Sequence, residues 1–144
     1  MSKKLIVLLA VMAMGLLLAA CGGGSDGDSD DMAAPEPVSL TFAGLDEFRY
    51  DPDAASVAAG APVTVTFDNQ GALEHDWMLV ADGTDLTALT VDNALMPEAH
   101  SGVLAAGTSK TFTFTAPTAG TYKIVCTVPG HAAAGMVGTF TVTP

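Results

Sequence analysis

With 144 residues and a formal net charge of −11, the chain has room for one domain behind any leader. Two of its five Lys and Arg are Lys3 and Lys4, so the remainder carries only Arg49, Lys110 and Lys123 against 16 Asp and Glu. That balance argues against a nucleic-acid partner, since phosphate binding needs a basic surface, and is compatible with steering toward a basic protein.

The N-terminus reads as a leader. Lys3 and Lys4 precede an apolar run from Leu5 to Leu17. The run is short beside the roughly 20 residues of a membrane-spanning helix, but it suits the apolar region of a secretory signal. It ends in Leu18-Ala19-Ala20-Cys21, which resembles the lipobox of bacterial lipoproteins. The resemblance implies that residues 1–20 are a signal peptide and that Cys21 becomes a lipid-modified N-terminus. The protein would then sit outside the cytoplasm, on a periplasmic or outer face, held to a membrane by its lipid. Cys126 would be the only free thiol, with no internal disulfide possible. Residues 21–37 are rich in Gly, Ser and Asp and end in Pro35-Glu36-Pro37. They bury too little apolar surface to offset the entropy of ordering and read as a flexible tether.

From Val38 to Pro144 the pattern has period two and is rich in Val, Thr and Phe, as strands require. Val38–Ala43 alternates. Phe48-Arg49-Tyr50 is a short strand before an Asp51-Pro52-Asp53 turn, and 56–60 is a turn feeding the strand 62–67, with Val63, Val65 and Phe67 inward. Asp68-Asn69-Gln70-Gly71 is turn chemistry. Residues 75–81 form a nearly continuous apolar strand. Between 82 and 107 the pattern lapses into either a short helix over 84–89 capped by Thr84 or an irregular excursion between sheets. Strands resume at 111–115, 121–126 and 138–142. Seven to eight short strands with regular turn signals predict an all-β sandwich. Trp77, Phe112 and Phe114 fall at core positions.

The chemistry concentrates in Cys126-Thr-Val-Pro-Gly-His131-Ala-Ala-Ala-Gly-Met136. A thiolate, an imidazole and a thioether recur at five-residue intervals in one loop. Such soft donors suit copper and not magnesium or calcium, and two His, one Cys and a distant Met make a blue-copper ligand set. His75 is available as the second imidazole. Met136 or His75 alone would read as a core residue; the combination reads as a metal site.

The C-terminal stretch 120–144, together with Phe67-Asp-Asn69-Gln-Gly71-Ala-Leu-Glu-His75, resembles the cupredoxins, and among them the auracyanins, which are membrane-tethered electron carriers. The resemblance implies a cupredoxin-like Greek-key sandwich over 38–144 with one copper held by His75, Cys126, His131 and Met136. It implies electron exchange through His131, with Val128, Pro129, Ala132, Ala133 and Ala134 as an apolar docking patch. The implied partners are redox proteins, such as a cytochrome, a quinol-oxidising complex, a reaction centre or a terminal oxidase, met by a monomer. Cupredoxins usually carry Asn after the first histidine, where this chain has Asp76; an ionised carboxylate accepts hydrogen bonds but donates none. Asn69 is then a candidate for part of the tethering. His100 lies outside the motif and reads as a plain loop residue. A copper nitrite reductase or multicopper oxidase needs more histidines than the three present. A copper chaperone is the other alternative, and no Gly-x-Ser-x-Gly elbow supports a hydrolase.

Overall fold

Val, Thr and Phe at alternate positions force an extended chain with one wet and one buried face. Strand β4 (Pro62–Asn69) follows this rule, burying Val63, Val65, Phe67 and Asn69. The computed structural model describes residues 34–144. The expected leader 1–20, Cys21 and the tether up to residue 33 lie outside the described residues.

Among the described residues, eight strands form two mixed sheets. β1 (Val38–Leu45), β2 (Arg49–Asp51), β4 and β6 (Ser109–Thr115) make one, in the order β2-β1-β4-β6. β3 (Ala54–Ala58), β5 (Met78–Ala81), β7 (Gly120–Val125) and β8 (Val137–Thr143) make the other, in the order β3-β8-β7-β5. β1 pairs in parallel with β4 and β3 with β8; the other pairings are antiparallel. The all-β sandwich expected from the pattern is therefore observed, with an irregular excursion between β5 and β6.

Three local expectations need correction. Residues 54–58 form strand β3, which takes in 56–58 of the turn expected at 56–60, because β8 supplies a parallel partner from the far end of the chain. The strand expected at 75 begins only at Met78; before it, His75 makes an isolated bridge to Leu104. The helix considered at 84–89 is absent. There Asp85 Oδ1 accepts from the Thr87 N–H and hydroxyl, a local bond that competes with helix formation; among the described residues the one helical element is a 3₁₀ segment at Val91–Asn93.

Between the sheets, Trp77 is fully buried against Phe42, Phe112, Phe114 and Phe140, with ring centroids 5.4–6.4 Å apart. Such tilted and edge-on contacts suit aromatic quadrupoles. Register brings three chain segments to one rim of the second sheet. Val125, last in β7, pairs with both Met78, first in β5, and Val137, first in β8. His75 to Trp77, Cys126 and Met136 therefore adjoin one end of the sandwich.

Gly138 marks the closest approach in this sheet. A Cβ there would lie 2.7 Å from the Asp53 carbonyl oxygen and 3.3 Å from Ile124. Because backbone and not a flexible tip blocks it, Gly138→Ala should destabilise the fold by about 1–3 kcal/mol, as overpacking does, measured by denaturant unfolding of the domain.

Candidate metal centre

The loop from Cys126 to Met136 is closed by its own backbone. The Cys126 N–H donates to the Met136 carbonyl at 3.3 Å, and the Met136 N–H to the His131 carbonyl at 2.9 Å. Within it, Ala134 donates to Gly130 and Gly135 to Ala132, making one helix-like turn. Gly130 and Gly135 have φ of 87° and 116°, a region that side chains disfavour. Two glycines thus let a short loop fold back on the cysteine.

Three donors converge as expected. His75, Cys126 and His131 offer ligand atoms that all lie within 4.8 Å of one another. His75 Nδ1 is 3.2 Å from His131 Nδ1, which is 3.5 Å from Cys126 Sγ. His75 and Cys126 are fully buried and His131 is 9% exposed. Met136 is also fully buried and its main chain bonds to both neighbouring donors. Two imidazole nitrogens and a thiol brought so close together in a buried site are the donor set of a single type 1 copper. Among the described residues this is the one such grouping.

The supporting residues divide the work differently from expectation. Asn69 is buried; its Nδ2 donates to the carbonyls of Leu73 and Leu104 at 2.8 and 2.9 Å, and its Oδ1 accepts from the Gly71 N–H. Leu104 in turn bridges His75 through both backbone groups. Asn69 therefore anchors the turn carrying His75. Joining the two ligand segments falls to Asp76, whose carboxylate accepts from the Thr127 N–H at 2.6 Å and from the Thr127 hydroxyl. Its Oδ2 also meets His100 Nε2 at 2.8 Å, and its carbonyl accepts from the Tyr50 hydroxyl at 2.7 Å.

His100 is accordingly no plain loop residue. Read from sequence it has no partner, because its contact with Asp76 is made only when the 95–104 segment folds back along β5, where Met78 bridges His100. The available clue is Asp76 itself: a buried carboxylate needs compensation. Asp46 was missed as well. Its carboxylate accepts from the Ala72 and Leu73 N–H groups and lies 3.7 Å from His75 Nε2.

Burial sets the protonation of the site. It pushes the Cys126 thiol up to about 12, reinforced by the Asp76 charge and opposed by the backbone N–H groups of Asp76 and Val128. Burial, then the neighbouring His131, lowers His75. For Asp76 burial works against ionisation, yet hydrogen bonds from His100 and Thr127 outweigh it and hold the carboxyl below its ordinary value. Burial thus favours the neutral thiol of Cys126 and the neutral ring of His75, while hydrogen bonds favour the ionised form of Asp76.

At the surface, Pro129, Ala133 and Ala134 are exposed and Val128 is half-buried. Ala132 departs from the expected patch: it is 7% exposed, because the turn 130–135 directs it inward. Phe48 packs edge-on against the His131 ring, centroids 4.9 Å apart.

Comparison with known proteins agrees with this geometry. Residues 37–143 match the family model described as copper binding proteins, plastocyanin/azurin family. Auracyanin-A of Chloroflexus aurantiacus is 36% identical over 89% of this chain and 90% of its own length. Auracyanin-B of the same organism is 38% identical over 74% of this chain and 55% of its own. The crystal structure of dithionite-reduced auracyanin from Roseiflexus castenholzii superposes with a TM-score of 0.63 at 32% identity, covering 74% of this chain and 97% of that one. With the donors of its buried rim in place and its sequence matched along the whole sandwich, the chain belongs to the plastocyanin/azurin family of copper-binding proteins.

Proposed function

We propose that this protein is a mononuclear blue-copper carrier that passes single electrons between membrane-associated redox proteins, tethered by lipid on Cys21. The observation that carries the reading is the convergence of His75, Cys126 and His131 within 4.8 Å in a buried pocket. When bound there, copper supplies the one-electron Cu(I)/Cu(II) couple. Met136, buried at the end of the same loop, would be the fourth donor in this reading.

The chain's residues do the rest. His75 and Cys126 exclude water through full burial, and His131, the most exposed of the three donors, is the port for the electron. Pro129, Ala133 and Ala134 present small apolar surface around it, which suits a transient encounter burying little area. Asp76 joins the two ligand segments, and Asn69 anchors the turn that carries His75. His100, the third histidine, is occupied by Asp76, which leaves no histidine free for the second copper of a reductase or oxidase. The lipid, the extracytoplasmic location and the monomeric state rest on the N-terminal sequence and the family likeness.

The copper-loaded fragment from Val38 onward should take up one copper per chain and show an intense visible charge-transfer band with the narrow EPR splitting of a thiolate-bound Cu(II). Cys126→Ser should abolish the band, whereas Met136→Gln should keep it and shift the potential. A colourless one-copper protein would favour a chaperone.

Metal loading should also be coupled to protons. A metal taken by the Cys126 thiolate must expel a proton that the folded protein otherwise holds up to about pH 12. Affinity for Zn(II) or Cu(II) should therefore rise by about tenfold per pH unit above neutrality. Zinc titration in weak buffer at pH 8, where the lowered His75 is already neutral, should release about one proton from Cys126 per metal.

Asp76→Asn should raise the midpoint potential, because it removes a buried negative charge that favours Cu(II) while keeping an oxygen for the Thr127 N–H. Voltammetry of the loaded variant checks this; no rise would reject the idea that the Asp76 charge favours Cu(II).

A further inference from the structure

His75 presents one ring nitrogen to the other donors and leaves the second without a partner. Nδ1 faces His131, while Nε2 is buried and has no hydrogen bond. A buried N–H or ring nitrogen left unpaired costs free energy, and a histidine that ligates a metal through one nitrogen almost always donates the other to a carboxylate, carbonyl or water. The nearest charged group is Asp46, whose Oδ1 stands 3.7 Å from Nε2.

Several features hold that carboxylate in place. It sits in the turn between β1 and β2, where Oδ1 and Oδ2 both accept from the Ala72 N–H at 2.9 Å and Oδ1 also accepts from Leu73 at 3.1 Å. These bonds tie it to the segment that leads into His75. A carboxylate offers about four acceptor positions, so a site remains toward the imidazole. Space is kept open by Gly71: a Cβ there would lie 2.5 Å from Asp46 Oδ1 and 2.9 Å from His75 Nε2. The missing side chain is what lets carboxylate and ring edge approach each other.

We infer that Asp46 is a positioning residue for the metal centre: its negative Oδ1, 3.7 Å from His75 Nε2, favours the tautomer that carries the proton on Nε2 and so frees Nδ1 for the metal. This rests on the copper-site reading above. A plainer role, closing the 71–74 turn, accounts for the two amide bonds but leaves the orphaned Nε2 and the open space at Gly71 without a reason. As a negative charge on the outer edge of a ligand, Asp46 also raises the ligand's basicity and favours the more highly charged Cu(II). Asp46 is about half exposed, so the effect belongs at the low end of the 10–100-fold range for such outer groups.

Two measurements on the full domain separate this from the site assignment. In metal-free protein, long-range ¹H–¹⁵N correlation should show His75 as the Nε2–H tautomer, and Asp46→Asn should move that resonance, although Asn can still accept from the Ala72 and Leu73 amides. In copper-loaded protein, Asp46→Asn should keep the blue band and tilt the Cu(II)-over-Cu(I) affinity ratio toward Cu(I) by about tenfold, read as a higher midpoint potential, with Asp46→Ala shifting it in the same sense. An Nδ1–H tautomer, or a variant whose Nε2–H resonance and potential both match the wild type, would overturn the inference while leaving the copper site intact. A wild type without a blue band would instead strike the copper reading, and the tautomer result would still decide whether Asp46 orients His75.

Discussion

One buried carboxylate joins the two halves of this metal centre. Asp76 follows directly after His75, and its oxygens bind the backbone and the hydroxyl of Thr127, which follows directly after Cys126. Residues distant in sequence are thereby clamped one position from each ligand. Because the group is fully buried and charged, it is stable only while its donors surround it. His100 completes that set, and Tyr50 fixes the adjacent carbonyl from β2. Loss of any one donor would leave charge unpaired in a low-dielectric rim, so the clamp is cooperative by construction.

The clamp works because the scaffold beneath it does not yield. Trp77 follows Asp76 and is wedged among four phenylalanines, so the backbone carrying His75 cannot shift without opening the centre of the core. On the other side, Cys126 and Met136 flank the paired strands β7 and β8. The loop is short, glycine-hinged and closed by its own hydrogen bonds, which leaves few conformations to search when a metal arrives. Such preorganisation is what a carrier needs if oxidation and reduction are to proceed with the same ligand positions.

How legible was this in the sequence? The Cys126–Met136 loop is readable because its chemistry is local: three soft donors at equal short spacings have few other meanings. The sandwich is readable wherever alternation is strong, as in β4. Ala54–Ala58 is not, since alanine and serine carry little strand preference and β3 exists only because β8 lies beside it. His75 can be nominated from sequence, but its partners cannot. Asp46 comes from one turn and His100 from an irregular segment, and both reach the site through folded contacts that leave no periodic trace. Ala132 was misjudged for a similar reason, as a single turn of backbone decides which alanines face the solvent.

The two carboxylates beside the ligands differ in how they communicate with the metal. Asp76 is sealed in and fully hydrogen-bonded, so its field is hardly screened by salt, whereas half-exposed Asp46 acts through water and ions that fall within a Debye length of about 8–10 Å. Asp46 acts on the outer edge of His75, and Asp76 on the cysteine strand end. A negative charge at either place stabilises the oxidised metal, but only the outer one varies with ionic strength and with the charge of whatever docks over the rim. Glu47 and Glu74, next in sequence to Asp46 and His75 respectively, are exposed as well. A cation held near Asp46 would weaken the outer contribution and raise the potential of bound copper, while the sealed field of Asp76 would stay as it is.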